Sequence, residues 1–480
     1  MSEPTHVDSE LYDRLKEPFE MDALTYIQVD AKLFLAQRQD FYDGNLRNPV
    51  FTYSGLTKEV LAKMNQFEML LLEARKELRG TDRSYARIMQ GGWNSITRSL
   101  ETGRRFAYLW RINEALAKVR LIKACASGKT KRAQRYSIFM FGKPDYKMYR
   151  ASVAEVRAEV RRWQEAQPEN EDLKRVGNEL LTLLPDIGPE EQYELPKPNL
   201  IAKLTQYVRE QFKSVIEFYE NRYGADKTQR GLENLGDLPF VTKEEAIVGF
   251  QFAMQVFALF KFGFNLIVTW AKRGYSVSQK ELAVFIPADP DCGKIKCNEL
   301  VRWTLHEVCV HPLRRLRGHL SKLRLMEFGL DRYEAGEEGS AIAIEDAYTG
   351  EVLGYGFATG PVAVSLALGL DGTPRDFRDL FEIMSLYAIC RRLGPQKLPL
   401  EKATHDGKVL AFDNTMRTFR SGDPSIPGRV FTRDIIYRRS NRAFWETMES
   451  HPERLEHLLD GKYDLANERH MWILECIEAA

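Results

Sequence analysis

The 480-residue chain has almost no net charge: 69 Lys and Arg stand against 68 Asp and Glu, leaving +1. No global field therefore selects nucleic acid or an anionic membrane surface as a partner. Cysteine is sparse as well. The six thiols (Cys125, Cys292, Cys297, Cys309, Cys390, Cys476) lack the paired spacing of a secreted disulfide framework, and Cys292-x4-Cys297 lacks the second pair a structural metal site needs, so both are expected to be structural thiols. The first residues carry Glu3, Asp8 and Glu10 with no apolar h-region, unlike a signal peptide, so a cytoplasmic location is expected. No internal repeat is found. A clean membrane span is missing too. The most apolar window, Ile247 to Trp270, is punctuated by Gln251, Gln255, Lys261 and Asn265 and broken at Gly263. A lysine near the bilayer centre costs about 2.5–3.5 kcal/mol on insertion scales.

What the chain does contain is enough apolar residue, 44%, for real cores, and a length that suggests about three domain-sized units. Its most informative stretch is Leu305-His306-Glu307-Val308-Cys309-Val310-His311-Pro312, two histidines flanking a glutamate on an apolar, helix-prone segment. The metalloprotease helix H-E-x-x-H puts its histidines at i and i+4, with the glutamate as general base. Here the second histidine falls at i+5. At about 100° per residue, five steps leave the imidazoles roughly 140° apart on a regular α-helix, too far round to grip one ion. A π-type turn closes that gap, and Pro312 supplies a local cause, since it has no N–H for the carbonyl of Val308.

Catalytic zinc usually takes three protein ligands and keeps a position for water. The third candidate lies in Glu337-Glu338-Gly339-Ser340-Ala341-Ile342-Ala343-Ile344-Glu345-Asp346, where the small residues Gly339, Ser340, Ala341 and Ala343 are expected to let the segment pack close to the His306 helix and bring in a carboxylate. The competing explanation is a helical first turn whose acids favour the positive end of the helix dipole.

HEVCVH followed by EEGSA resembles the H-E-x-x-x-H and (Q/E)-E-G-L-A signature of the tyrosine carboxypeptidase family, which includes the microtubule-associated tyrosine carboxypeptidases and bacterial QEGLA-motif proteins. Further likeness runs from about Lys118 to the C-terminus. Phe141-Gly142-Lys143-Pro144 resembles an aromatic-Gly-x-Pro element, and Leu313-Arg314 with Gly318 follow the second histidine as "LR…G" does in the family. Arg417-Thr418-Phe419-Arg420 and Phe431-Thr432-Arg433-Asp434 with Tyr437 resemble its "R-x-x-R … F-T-K-D-x-x-Y" block, and Leu459-Asp460-Gly461-Lys462 its terminal "L-x-G-K". The resemblance implies that His306, His311 and Glu338 hold zinc, that Glu307 is the general base, and that a C-terminal aromatic, tyrosine-like residue is removed from a protein or peptide tail. Ser340 stands where Leu is usual, and Arg433 where Lys is usual. The first leaves the ligand intact and the second keeps a cation.

Organisation follows in outline. Thr242-Lys243-Glu244-Glu245 reads as a capping-box start of a buried helix to about Phe262. Strands are expected at about 266–270 and 282–286, with Phe and Trp in this region taken as core, and the sheet beside the metal helix suits strand addition by an extended peptide. Residues from about Tyr53 to Trp163 read as helices with charged faces, and the Pro- and acid-rich passage from Gln167 to Pro198 as a boundary with a short helix inside. Between Arg104 and Arg135 ten Lys or Arg face one acid, Glu114. Such a stripe is either a solvated helix face or a dock for a polyanion.

The expectation is an α+β chain: a largely helical region over 1–198, then a zincin-like zinc metallopeptidase domain over 199–480 with a small sheet beside a metal-binding helix. Zn2+ is held by His306, His311 and Glu338, and Glu307 takes the proton of the attacking water. An exopeptidase must also capture a terminal carboxylate, for which Arg417, Arg420 and Arg433 are the candidate forks, with Tyr437 a donor to the oxyanion. The tail is acidic if the stripe docks it; neither nucleic acid nor membrane is expected. A zinc endopeptidase and a non-catalytic binding protein docking an acidic partner remain the alternatives.

Overall fold

The computed structural model describes residues 8–79, 96–223, 240–270, 275–278, 280–289, 295–352, 354 and 358–479. Most of them are helical, and strands are few and short, so the class is α+β with helix dominant. β1 (Phe240–Val241) pairs antiparallel with β5 (Ile295–Lys296). A second sheet has the order β2-β4-β3: β2 (Asn265–Thr269) runs parallel to the central β4 (Ala283–Pro287), and β3 (Ser276–Ser278) antiparallel to it. β2 and β4 stand within a residue of their expected places. β3, the strand that packs against the His306 segment, is too short to show as an alternating pattern.

The helix Lys243–Val256 starts as its sequence dictates. The Thr242 side chain accepts from the N–H of Glu245, and the Glu245 carboxylate accepts from the N–H of Thr242. It stops before Phe262. Ala258 turns left-handed, a 3-10 turn spans Leu259–Phe262, and Gly263 closes it at φ 98°. Trp270 corrects the expected burial: it is 76% exposed, and Ile267 and Val268, which point to opposite faces of β2, are exposed as well, because this edge strand is covered on neither face there.

Two hydrophobic cores fill the molecule. The first joins Leu11, Phe106, Leu109 and Ile112 to Phe250, Leu305, Val308 and Ile344. The second joins Phe34, Tyr149 and Leu180 to Leu366, Phe381 and Phe412. Each draws on both sides of position 198, so the helical first part and the region of the site share their cores across the expected boundary. Inside the acid-rich passage the expected helix spans Glu171–Leu183, capped by the Asn170 side chain, with Leu173, Val176 and Leu180 turned into the second core.

The basic stripe is mostly not a surface. Its first part lies on the Leu100–Ala126 helix, which is buried nearly all round. Arg111 and Lys118 share a face with Glu114 at helical spacings of three and four. Arg111 donates to Glu114 at 2.6 Å, and Lys118 lies 3.2 Å from Glu114 and 3.1 Å from Glu334. Arg104 pairs with Glu101, while Arg120 and Lys123 both pair with Glu68. Burial of a cation demands such partners. Only Lys129, Lys131, Arg132 and Arg135 stand exposed at the far end. There, Arg120, Lys123, Lys129 and Arg132 line a cavity of about 530 Å³. Among the described residues no helix is long and apolar enough to cross a membrane. Cys125, Cys309, Cys390 and Cys476 are free and buried, and Cys292 lies outside the described residues.

Candidate metal centre

Residues Thr304–Val310 form a π-helix between the α-helices Cys297–Trp303 and His311–Leu320. The N–H of His311 reaches the carbonyl of His306, five residues back. Pro312, in the first turn of the next helix, has no N–H with which to make the α-type bond to Val308. The wider turn returns the fifth residue to the face of the first, and the two imidazoles stand 5.0 Å apart between ring centroids. The turn expected from the i+5 spacing is therefore the one the backbone adopts.

The carboxylates come from the helix Tyr333–Thr349, which packs on the π turn. Glu337 and Glu338 sit in its second turn, so the helix dipole does not account for them. Gly339 acts differently from expectation, and Gly336 with it. A Cβ on Gly339 would lie 2.5 Å from the backbone of Ser440, and one on Gly336 would collide with Asp464. These glycines admit the Ile436–Ser450 helix and the C-terminal loop, not the His306 segment, because they lie on the helix face turned away from it. Asn441 donates to the carbonyl of Gly339 at 3.1 Å, and the Ser340 hydroxyl donates to the carbonyl of Gly336 at 2.6 Å.

Glu338 faces the histidines. Its Oε2 lies 3.6 Å from Nε2 of His306, and ligand atoms of His306, His311 and Glu338 all fall within 4.8 Å of one another. Two imidazoles and one carboxylate are a donor set that suits zinc and leaves a coordination position open. Burial raises the Glu338 pKa, but the hydrogen bond to His306 and the nearby His311 outweigh it and hold the carboxyl below its usual range. Burial lowers that of His306, yet Glu338 and Glu345, one at each ring nitrogen, hold it well above the ordinary imidazole value.

Glu307, adjacent on the π turn and partly exposed, has no hydrogen bond or ion pair among the described residues. Its carboxylate is thus available to a water molecule.

The substrate candidates gather on the same side. Arg433 donates to the Tyr437 hydroxyl at 3.2 Å and lies 3.7 Å from Glu334, and both Arg433 and Tyr437 are within electrostatic reach of Glu338. Arg417 is engaged by Asp434 at 2.9 Å. Arg420 is different: among the described residues its guanidinium makes no hydrogen bond or ion pair, and Asp434 and Asp22 act on it only at longer range. Burial, then the cations of Arg417 and Arg433, push its pKa down. An arginine so placed gains most from an incoming anion.

Behind the triad stand Glu345 and Glu337, which the sequence places in the candidate segment without showing that either backs a histidine. Glu345 accepts from or shares a proton with Nδ1 of His306 at 2.6 Å, and Arg302 donates to its other oxygen at 2.6 Å. Glu337 lies 3.3 Å from Nδ1 of His311 and 3.4 Å from Nζ of Lys462. A signal for Glu345 was present: it follows Glu338 by seven residues, two helical turns, and so shares its face. Comparison with protein-family models, with curated proteins and with solved structures finds no match to this chain.

Proposed function

We propose that this chain is a zinc-dependent carboxypeptidase of a zincin-like kind, removing a C-terminal, tyrosine-like residue from a protein or peptide tail, as the resemblance to the tyrosine carboxypeptidase family implies. The observation that carries the reading is the convergence of His306, His311 and Glu338 within 4.8 Å, with Glu307, which makes no hydrogen bond or ion pair among the described residues, next to His306. Zinc there supplies a Lewis acid for the scissile carbonyl and a bound water whose pKa falls to about 7. Glu307 would take a proton from the attacking water and return it to the leaving amine. Arg420 receives the terminal carboxylate as a planar fork, and Arg433 holds the Tyr437 hydroxyl, which donates to the developing oxyanion. An extended substrate backbone lies along β3, the strand next to the π turn.

The exposed end of the basic stripe supports an acidic stretch upstream of the scissile residue. The Leu100–Ala126 helix that leads to it meets the Arg420 segment, since the Cys125 thiol lies 3.6 Å from the carbonyl of Ser421. The test pairs a peptide ending in a free aromatic residue with its C-terminally amidated twin, read by mass spectrometry. Loss of that one residue from the free peptide alone is expected. Equal cleavage of both, or cuts several residues inside, favours an endopeptidase, and no cleavage that depends on Glu307 favours a binding protein.

A further inference from the structure

We propose that Glu345 and Glu337 are positioning residues for the metal, standing behind His306 and His311, and that each is held in turn by a cation, Arg302 and Lys462. The inference rests on the zinc reading and adds the groups that aim the ligands.

The ring nitrogens are divided between two tasks. His306 turns Nε2 towards Glu338 at 3.6 Å and Nδ1 towards Glu345 at 2.6 Å. A proton on Nδ1 donated to Glu345 fixes the tautomer and leaves the Nε2 lone pair for a metal. His311 has a looser counterpart: its Nδ1 lies 3.3 Å from Oε1 of Glu337, an ion-pair distance without hydrogen-bond geometry. The carboxylates are themselves anchored. Arg302 takes the Glu345 oxygen that His306 does not use, and Lys462 lies 3.4 Å from Glu337. Each pair is near neutral as a unit, so the carboxylates make the imidazoles better donors without adding uncompensated negative charge to a site that already holds Glu338 and Glu307.

Lys462 shows how much of the fold serves this arrangement. It is 2% exposed, an expensive place for an ammonium group without partners. Its loop is fixed on both sides: Arg314 donates from Nε to the carbonyl of Gly461 at 2.7 Å and also to that of Tyr463, and the N–H of Lys462 donates to the carbonyl of Met326 at 3.0 Å. Gly318 and Gly461 permit the contact, since a Cβ on either would strike Met326. Arg314, Gly318 and Gly461, scattered in sequence, thus converge on seating one lysine behind one ligand.

The experiment measures zinc affinity by competition with a chromogenic chelator, and the visible spectrum of the cobalt-substituted protein, for wild type, Glu345→Ala, Glu345→Gln and Lys462→Met. Glu345→Ala is expected to weaken zinc about 10–100-fold and to shift the cobalt bands. Glu345→Gln recovers part of the loss, because its amide oxygen still accepts from Nδ1. Lys462→Met weakens zinc in the same direction; if that variant does not fold, the two Glu345 variants decide alone. A zinc-loaded wild type matched in affinity and cobalt spectrum by folded Glu345→Ala overturns the inference. A wild type that takes up no zinc overturns the zinc reading and this inference with it.

Discussion

The backbone N–H of His311 donates to the carbonyl of His306, so a hydrogen bond of the π type joins the two candidate ligands. A single residue inserted relative to H-E-x-x-H is absorbed in the backbone, and the imidazoles still converge to 5.0 Å. The glutamate between them keeps its place next to the first histidine. The chemistry of the shorter motif is therefore open to the longer one.

Glu307→Gln is expected to keep zinc at the wild-type level and to lose about 10²–10⁴-fold in kcat, since the amide is nearly isosteric but cannot take a proton from water. Metal content and single-turnover cleavage of a peptide check this together. Retained activity in a zinc-loaded variant counts against Glu307 as the base.

Arg420 and Arg417 should separate. Losing a charge-assisted contact to a terminal carboxylate costs about 2–5 kcal/mol, some tens to thousands of fold in kcat/KM. Arg420→Met is expected to show that loss on free-carboxylate peptides. Arg417→Met should show less, because Arg417 already pairs with Asp434. Steady-state kinetics on one peptide series reads both, and the reverse order would move the clamp to Arg417.

Salt dependence follows from the exposed end of the stripe. Lys129→Glu with Arg132→Glu should raise KM for a peptide with acidic residues upstream of its terminus at low ionic strength, and the difference from wild type should fade towards about 1 M salt, where the Debye length is about 3 Å. A neutral peptide of equal length serves as the control. An unchanged KM for the acidic peptide would remove the stripe from the substrate path.

Acid stability is set by groups such as Glu114. Burial raises its pKa, but Arg111 and Lys118 outweigh that and bring it down to about 2, from about 4.5 in the unfolded chain. A depressed carboxyl stabilises the fold above its unfolded value, and that contribution is lost as pH falls through 4.5 towards 2. Glu327, also brought down to about 2 by His319, Tyr12 and Arg315 against its burial, acts in the same window. Denaturant midpoints measured from pH 7 to pH 2 should drop there, and Glu114→Gln should cost about 3–5 kcal/mol at pH 7 by leaving Arg111 buried without its partner.

Local features were legible in the sequence, and distant ones were not. The capping box at Thr242 and Glu245 and the widened turn before Pro312 both follow from residues within one or two turns of each other. So do β2 and β4. The stripe misled because Glu114 serves two cations at once, while Glu334 and Glu68, which take up Lys118 and the pair Arg120 and Lys123, are remote in sequence. Glu345 shares the face of Glu338 by its spacing, but which histidine it supports shows only when the helix Tyr333–Thr349 packs on the π turn, and Lys462 gives no such signal until the C-terminal loop is folded there. Gly339 read as small, but which neighbour it admits depends on helix phase. A β3 of three residues offers too little alternation to be seen.

Gly339→Ala tests that packing. The new Cβ would stand 2.5 Å from the Ser440 backbone and 2.8 Å from the Asn441 nitrogen, which cannot yield as a flexible side chain would. A loss of about 1–3 kcal/mol is expected in denaturant unfolding, with zinc affinity falling as Glu338 is displaced.

Elemental analysis of the purified protein tests the central claim most directly. About one zinc per chain is expected in the wild type, lost from His306→Ala, His311→Ala and Glu338→Ala while circular dichroism shows the helices intact. A metal-free wild type, or full zinc in all three variants, would contradict the account.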